Sequence, residues 1–84
     1  MNNNMEQNQI FDKVVRIIHD VLESEEAVTR ESTLVDDLMF DSVSLLYLQV
    51  AIEDEFDIRF DPLTDDFTSI FYSADSLCNN IGDR

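Results

Sequence analysis

From Ser42 to Phe56 the chain reads as a helix with apolar residues on two opposite sides, in a protein of only 84 residues. At about 100° per residue, Leu45, Leu48, Ile52 and Phe56 share one face. Val43, Leu46, Tyr47 and Val50 gather on nearly the opposite face, and Asp54 continues it. A chain this short forms one small domain with a thin core. One face can pack inside that domain, which leaves the other in water. A helix that is apolar all round is normally enclosed by something larger. Here the larger body is a partner, because Glu53, Asp54, Glu55 and Asp57 would rim the free patch with charge. The competing expectation is that the preceding loop folds over the patch.

The rest of the chain supplies the packing partners. Residues 1–5 are polar and are expected to form a flexible tail. Over residues 6–22, Ile10, Val14, Ile17, Ile18 and Val21 follow a helical repeat, widened by Phe11, Val15 and Leu22. Lys13, Arg16 and Asp20 fall on the other side. Residues 23–41 lack sustained periodicity; Leu34 and Leu38 are expected to pin this long loop to the core. Asp41 is a good N-cap for the 42–56 helix. Pro62 discourages helix at Asp61. A short helix is expected within 63–71, near the capping candidates Thr64, Asp65 and Asp66. Ser73 can cap a last helix over 73–82, with Leu77 and Ile81 on one face and Gly82 as its stop. Residues 6–83 therefore read as one all-α domain with three main helices and a short fourth.

Nineteen acidic residues against five basic ones give a net charge of −14. Thirteen of those acids lie between Glu31 and Asp83, with Arg59 as the one base in that stretch. Nucleic acid and anionic membranes call for a basic face, so neither is expected as a partner. Basic protein surfaces are, with long-range attraction speeding encounter. The single cysteine, Cys78, excludes an internal disulfide and fits a reducing compartment. The first residues lack the basic and apolar regions of a signal peptide, and no apolar run reaches the roughly 20 residues needed to span a bilayer. A soluble, cytoplasmic monomer is expected.

Chemistry is sparse. Ser42 places a hydroxyl at the start of a helix that Asp41 already caps. A phosphate ester there would meet the unpaired N–H groups and the positive end of the helix dipole. His19 is the only histidine, and no nucleophile or orienting acid is placed for it, so it reads as a helix-surface residue. Cys78 reads as packed. Asp61, Asp65 and Asp66 lack EF-hand spacing, and no metal site is expected. The aromatics read as core, with Phe40 and Tyr47 as the exceptions.

Asp37-Leu38-Met39-Phe40-Asp41-Ser42-Val43 resembles the Asp-Leu-Gly-x-Asp-Ser-Leu motif of acyl carrier and peptidyl carrier proteins. The similarity continues through Leu48, Ile52 and the run Glu53-Asp54-Glu55-Phe56-Asp57-Ile58. It reaches back to Leu34 and forward to Ser73–Ile81, so it covers about Glu6 to Ile81. The resemblance implies a small acyl-carrier-like four-helix bundle. It implies that a phosphopantetheinyl transferase attaches 4′-phosphopantetheine from coenzyme A to Ser42, beside Asp41. The thiol of that arm would hold an acyl or aminoacyl group as a thioester. Val43, Leu46, Tyr47 and Val50 would then contact loading and processing enzymes, with Glu53 and Asp54 attracting their basic docking surfaces. A carrier of this kind is not an enzyme.

The chain departs from the motif at Met39, where glycine is usual, at Phe40, where a small residue is usual, and at Val43. Ser44 and Tyr47 stand where fatty-acid carriers often have acids. The surface around Ser42 is thereby more apolar, which favours a dedicated carrier of polyketide, nonribosomal peptide or related specialised biosynthesis. The alternative is an acidic helical adaptor that binds a basic protein through the same helix without covalent modification.

Overall fold

The computed structural model describes residues 6–84; the tail expected over residues 1–5 lies outside them. Four helices follow in order: α1 (Gln7–Leu22), α2 (Ser42–Phe56), α3 (Phe67–Ile70) and α4 (Ala74–Gly82). No strand is present among the described residues; Thr33 and Ser73 form one isolated antiparallel bridge. α1 packs against both α2 and α4, and α3 packs against α4. No helix is long and apolar enough to cross a membrane among the described residues.

Each helix starts where its sequence supplies an acceptor. Asp41, Asp66 and Ser73 cap α2, α3 and α4 by accepting from Ser44 N, Ser69 N and Ser76 N. Before α1, Glu6 N donates to Gln9 Oε1 at 3.3 Å. α1 and α2 end on the left-handed residues Glu23 and Asp57, whose N–H groups donate back to His19 O and Glu53 O. These end bonds satisfy carbonyls the helices would otherwise leave open. Gly82 is the last residue of α4 but has no positive φ. Its lack of a side chain instead leaves room for the Gln7 amide, which a Cβ would strike.

The core joins the stripes expected from periodicity. Ile10, Val14 and Ile18 of α1 meet Leu48 and Ile52 of α2 and Leu77, Cys78 and Ile81 of α4. Leu45 and Phe56 of α2 are half-buried at its edge. Phe60, Phe67 and Phe71 form an aromatic cluster, with ring centroids 5.3 to 5.9 Å apart and the two Phe60 contacts edge-on.

The long loop is held to the body at several points. Leu34 and Leu38 are buried, as their positions suggested. Leu34 N donates to Tyr72 O at 3.0 Å, and Ala74 N donates to Ser32 O at 3.0 Å. Arg30 Nε donates to Asp75 Oδ1 at 2.7 Å, and its guanidinium also reaches Gln7 Oε1. The loop runs alongside α4 and does not lie over the outer face of α2. Val43, Leu46, Tyr47 and Val50 retain 55–63% of their exposure.

Two aromatic assignments require correction. Phe40, expected outside the core, is only 3% exposed. Its N–H donates to Leu34 O at 2.9 Å, and the left-handed turn at Met39 directs it inward. Tyr72, expected in the core with Phe67 and Phe71, is 62% exposed. Its backbone carbonyl is taken by the Leu34 N–H, and this bond holds Tyr72 at the surface junction between α3 and α4.

Candidate functional site: the start of the second helix

The chain from Thr33 to Ser44 is built from reciprocal hydrogen bonds between short polar side chains and backbone. Thr33 N donates to Asp37 Oδ2 at 2.9 Å, and Asp37 N donates to Thr33 Oγ1 at 3.1 Å. Four residues later the arrangement recurs: Ser44 N donates to Asp41 Oδ1 at 2.8 Å, and Asp41 N donates to Ser44 Oγ at 2.8 Å. Both carboxyls are held below the ordinary aspartate value of 3.8, chiefly by the backbone N–H groups they accept from. Asp41 and Ser44 therefore cap α2 between themselves.

Ser42, between them, has no share in the cap. It is the first residue of α2, it is exposed, and among the described residues its Oγ has no hydrogen-bond partner. Beside it lies an open furrow of about 280 Å³ lined by Ser42, Leu45, Leu46, Gln49, Phe67, Thr68 and Phe71. None of these side chains is charged. A second furrow of about 240 Å³ shares Leu45, Phe67, Thr68 and Phe71 and extends to Thr33, Val35, Tyr72 and the charged Asp36. The two hollows meet around Leu45. Gln49 was readable in principle, since it follows Ser42 by about two helical turns. Phe67, Thr68 and Phe71 arrive from α3 and its C-terminal end, which no local pattern in α2 announces.

Met39 is the backbone exception of the site. It has φ 65°, a left-handed conformation that costs an L side chain about 1–2 kcal/mol and glycine almost nothing. It is also 77% exposed.

The expected site residues do not all behave alike. Asp41, Ser42, Val43, Leu46, Tyr47, Val50 and Asp54 share the exposed side of α2 and its start. Glu53 is half-buried, and its Oε2 accepts the Phe60 N–H at 2.9 Å, tying the end of α2 to the next loop. Glu55 is paired with Lys13 at 2.9 Å. His19 is not brought to Ser42. Its Nε2 donates to Glu26 O at 2.8 Å beyond the end of α1. Cys78 is fully buried, and desolvation pushes its thiol up to about 11. Asp65 accepts from Asp61 N and from Arg84, so that acidic turn is internally bonded.

Comparison with known proteins decides what this serine-headed helix belongs to. Residues 12–69 match the family model described as a phosphopantetheine attachment site. The chain belongs to this carrier protein family. The acyl carrier protein of Picosynechococcus sp. is 33% identical over 76 residues, spanning 88% of this chain and 94% of that protein. The acyl carrier protein of Clostridium perfringens is 42% identical over 51 residues, spanning 60% of this chain and 67% of that protein. A solved structure from Mycobacterium tuberculosis, assigned as an acyl carrier protein, superposes with a TM-score of 0.76 at 29% identity. That alignment covers 86% of this chain and 93% of the other.

The prosthetic group of this family is 4′-phosphopantetheine. The site suits it, offering a free hydroxyl at a helix start, where anions are favoured, next to a furrow without charge. Carriers of this family work with phosphopantetheinyl transferases and acyl-processing enzymes.

Proposed function

We propose that Ser42 is the attachment residue and that the protein is a carrier holding an acyl or aminoacyl intermediate for partner enzymes. The observation that carries this reading is the exposed, unpartnered Ser42 Oγ at the head of α2, with the uncharged furrow beside it. In the loading step Ser42 Oγ bonds to the phosphorus that bears the pantetheine of coenzyme A. The phosphoanhydride breaks, adenosine 3′,5′-bisphosphate leaves, and the serine proton passes to a base of the transferase or to solvent. The attached arm supplies a thiol that carries the cargo as a thioester. The chain's own residues position and present; they perform no catalysis. Tethering raises the effective concentration of the intermediate at each partner.

Residues 6–83 act as a single carrier domain, monomeric and cytoplasmic. Asp41 and the exposed residues Val43, Leu46, Tyr47 and Val50 meet partner enzymes, and Asp54 draws their basic surfaces. Glu53 contributes to that field while it also braces Phe60. The apolar furrow supports an uncharged cargo over a charged one. Ser44 and Tyr47, in place of acids near Ser42, support a dedicated pathway such as polyketide or nonribosomal peptide synthesis.

Intact mass after incubation with coenzyme A and a broad-specificity transferase tests the attachment. One phosphopantetheine group is expected on the wild type and none on Ser42→Ala. An unmodified wild type, or a modified Ser42→Ala, overturns the reading. The former result leaves α2 as the plain docking face of an adaptor.

A further inference from the structure

Among the described residues three have a positive φ: Glu23, Met39 and Asp57. Glu23 and Asp57 terminate helices, and their conformation is returned in hydrogen bonds to His19 O and Glu53 O. Met39 terminates none. The backbone turn there has a structural reason, since it brings the Phe40 N–H onto Leu34 O and Phe40 into the core. The side chain has no such reason. It is 77% exposed and takes no part in the core. A turn that glycine makes without strain has been given a bare thioether, three residues before Ser42.

That position lies under any enzyme that acts on Ser42. Three Cα–Cα steps place Met39 at most about 11 Å from Ser42 along the chain. A docked protein covers about 800 Å² per partner, a patch of roughly 16 Å radius. Exposed acids surround Met39, namely Asp36, Asp37 and Asp41. An enzyme that grips the phosphates of coenzyme A at its active-site mouth presents cations there, which complement these acids. An unbranched, polarisable methionine suits an apolar depression between such cations, because it adapts its shape to the surface it meets.

We propose that Met39 is a binding contact for the phosphopantetheinyl transferase, retained at the expense of the fold's own stability. The inference rests on Ser42 being the attachment residue. Met39→Gly removes side chain and strain together; Met39→Ala removes the side chain and keeps the strain; Met39→Leu keeps a comparable apolar side chain. The full chain carrying each substitution is assayed with a broad-specificity transferase and coenzyme A, and melted alongside.

Met39→Gly is expected to raise Tm by about 4–8 °C while raising KM for the carrier about fivefold, with kcat unchanged. Met39→Ala is expected to raise KM equally with Tm near wild type. Met39→Leu is expected to keep KM within about twofold. Wild-type KM in both Met39→Gly and Met39→Ala overturns the proposal, as does a rise in Met39→Gly alone, which would mark backbone freedom as the cause. A fall in kcat at constant KM also overturns it, because Met39 would then be positioning Ser42 rather than binding the enzyme. A wild type that stays unmodified overturns both readings; a modified wild type with unchanged variants overturns this one alone.

Discussion

α1 and α2 are similar in length and both bury a stripe in the same core, yet their outer faces differ. α1 turns Asp12, Arg16 and Asp20 to solvent, while α2 turns out Val43, Leu46, Tyr47 and Val50. Burial of Ile10, Val14 and Ile18 accounts for the apolar content at the centre of α1. Burial of Leu48 and Ile52 accounts for only part of the content of α2. Leu45 and Phe56 add half-buried contacts at the edge of the core, but the exposed row does nothing for the isolated fold, and it sits beside the one serine hydroxyl at a helix head that, among the described residues, the caps leave free. Where a helix carries more apolar surface than its own domain can bury, the excess reports on what the domain meets.

Two leucines two positions apart test this division most sharply. Leu48 is fully buried and Leu46 is more than half exposed. Leu48→Ala is expected to cost about 2–5 kcal/mol in urea unfolding, from lost burial and the cavity left behind. The folded fraction should still be loaded normally at Ser42. Leu46→Ala is expected to change stability by less than about 0.5 kcal/mol. It should lower the efficiency of transferase modification about fivefold, read as kcat/KM. Equal stability losses in the two variants would show that both faces serve the fold and would dissolve the contrast.

The smallest effect concerns the start of α2. Asp37, Asp41 and Asp65 have folded values below 3.8, so each contributes stability above that pH that is lost as the pH falls through its folded value. Tm is expected to decline as the pH drops below about 4. Asp41→Asn keeps an oxygen for the Ser44 N–H but does not titrate, and it should flatten the part of the decline that arises at α2. An unchanged acid profile in that variant would remove the cap from the account.

The helices, their caps and the two faces of α2 were legible because each depends on neighbours a few residues apart. Asp41 and Ser73 cap as their residue types allow, and Leu34 and Leu38 pin the loop as expected. Phe40 was misjudged because its burial depends on a left-handed residue, and the usual signal for one is glycine rather than methionine. Tyr72 was misjudged because a partner far along the chain, the Leu34 N–H, fixes the backbone there. Glu53 sits within an acidic run that reads as rim, but the bend after Asp57 brings the Phe60 N–H to its carboxylate. Around the candidate site, the exposure of Ser42 and of the outer row on α2 was legible, while the α3 wall of the furrow had to be seen in three dimensions.

The burial of Cys78 bears on how long a cargo would survive. A thioester is open to capture by any other thiolate within reach, and this chain has just one sulfhydryl of its own. Shut between helices and reluctant to ionise, that sulfur cannot intercept a passenger in transit. A passenger mounted on the surface would then be released by a visiting enzyme or by water rather than by transfer to this sulfur.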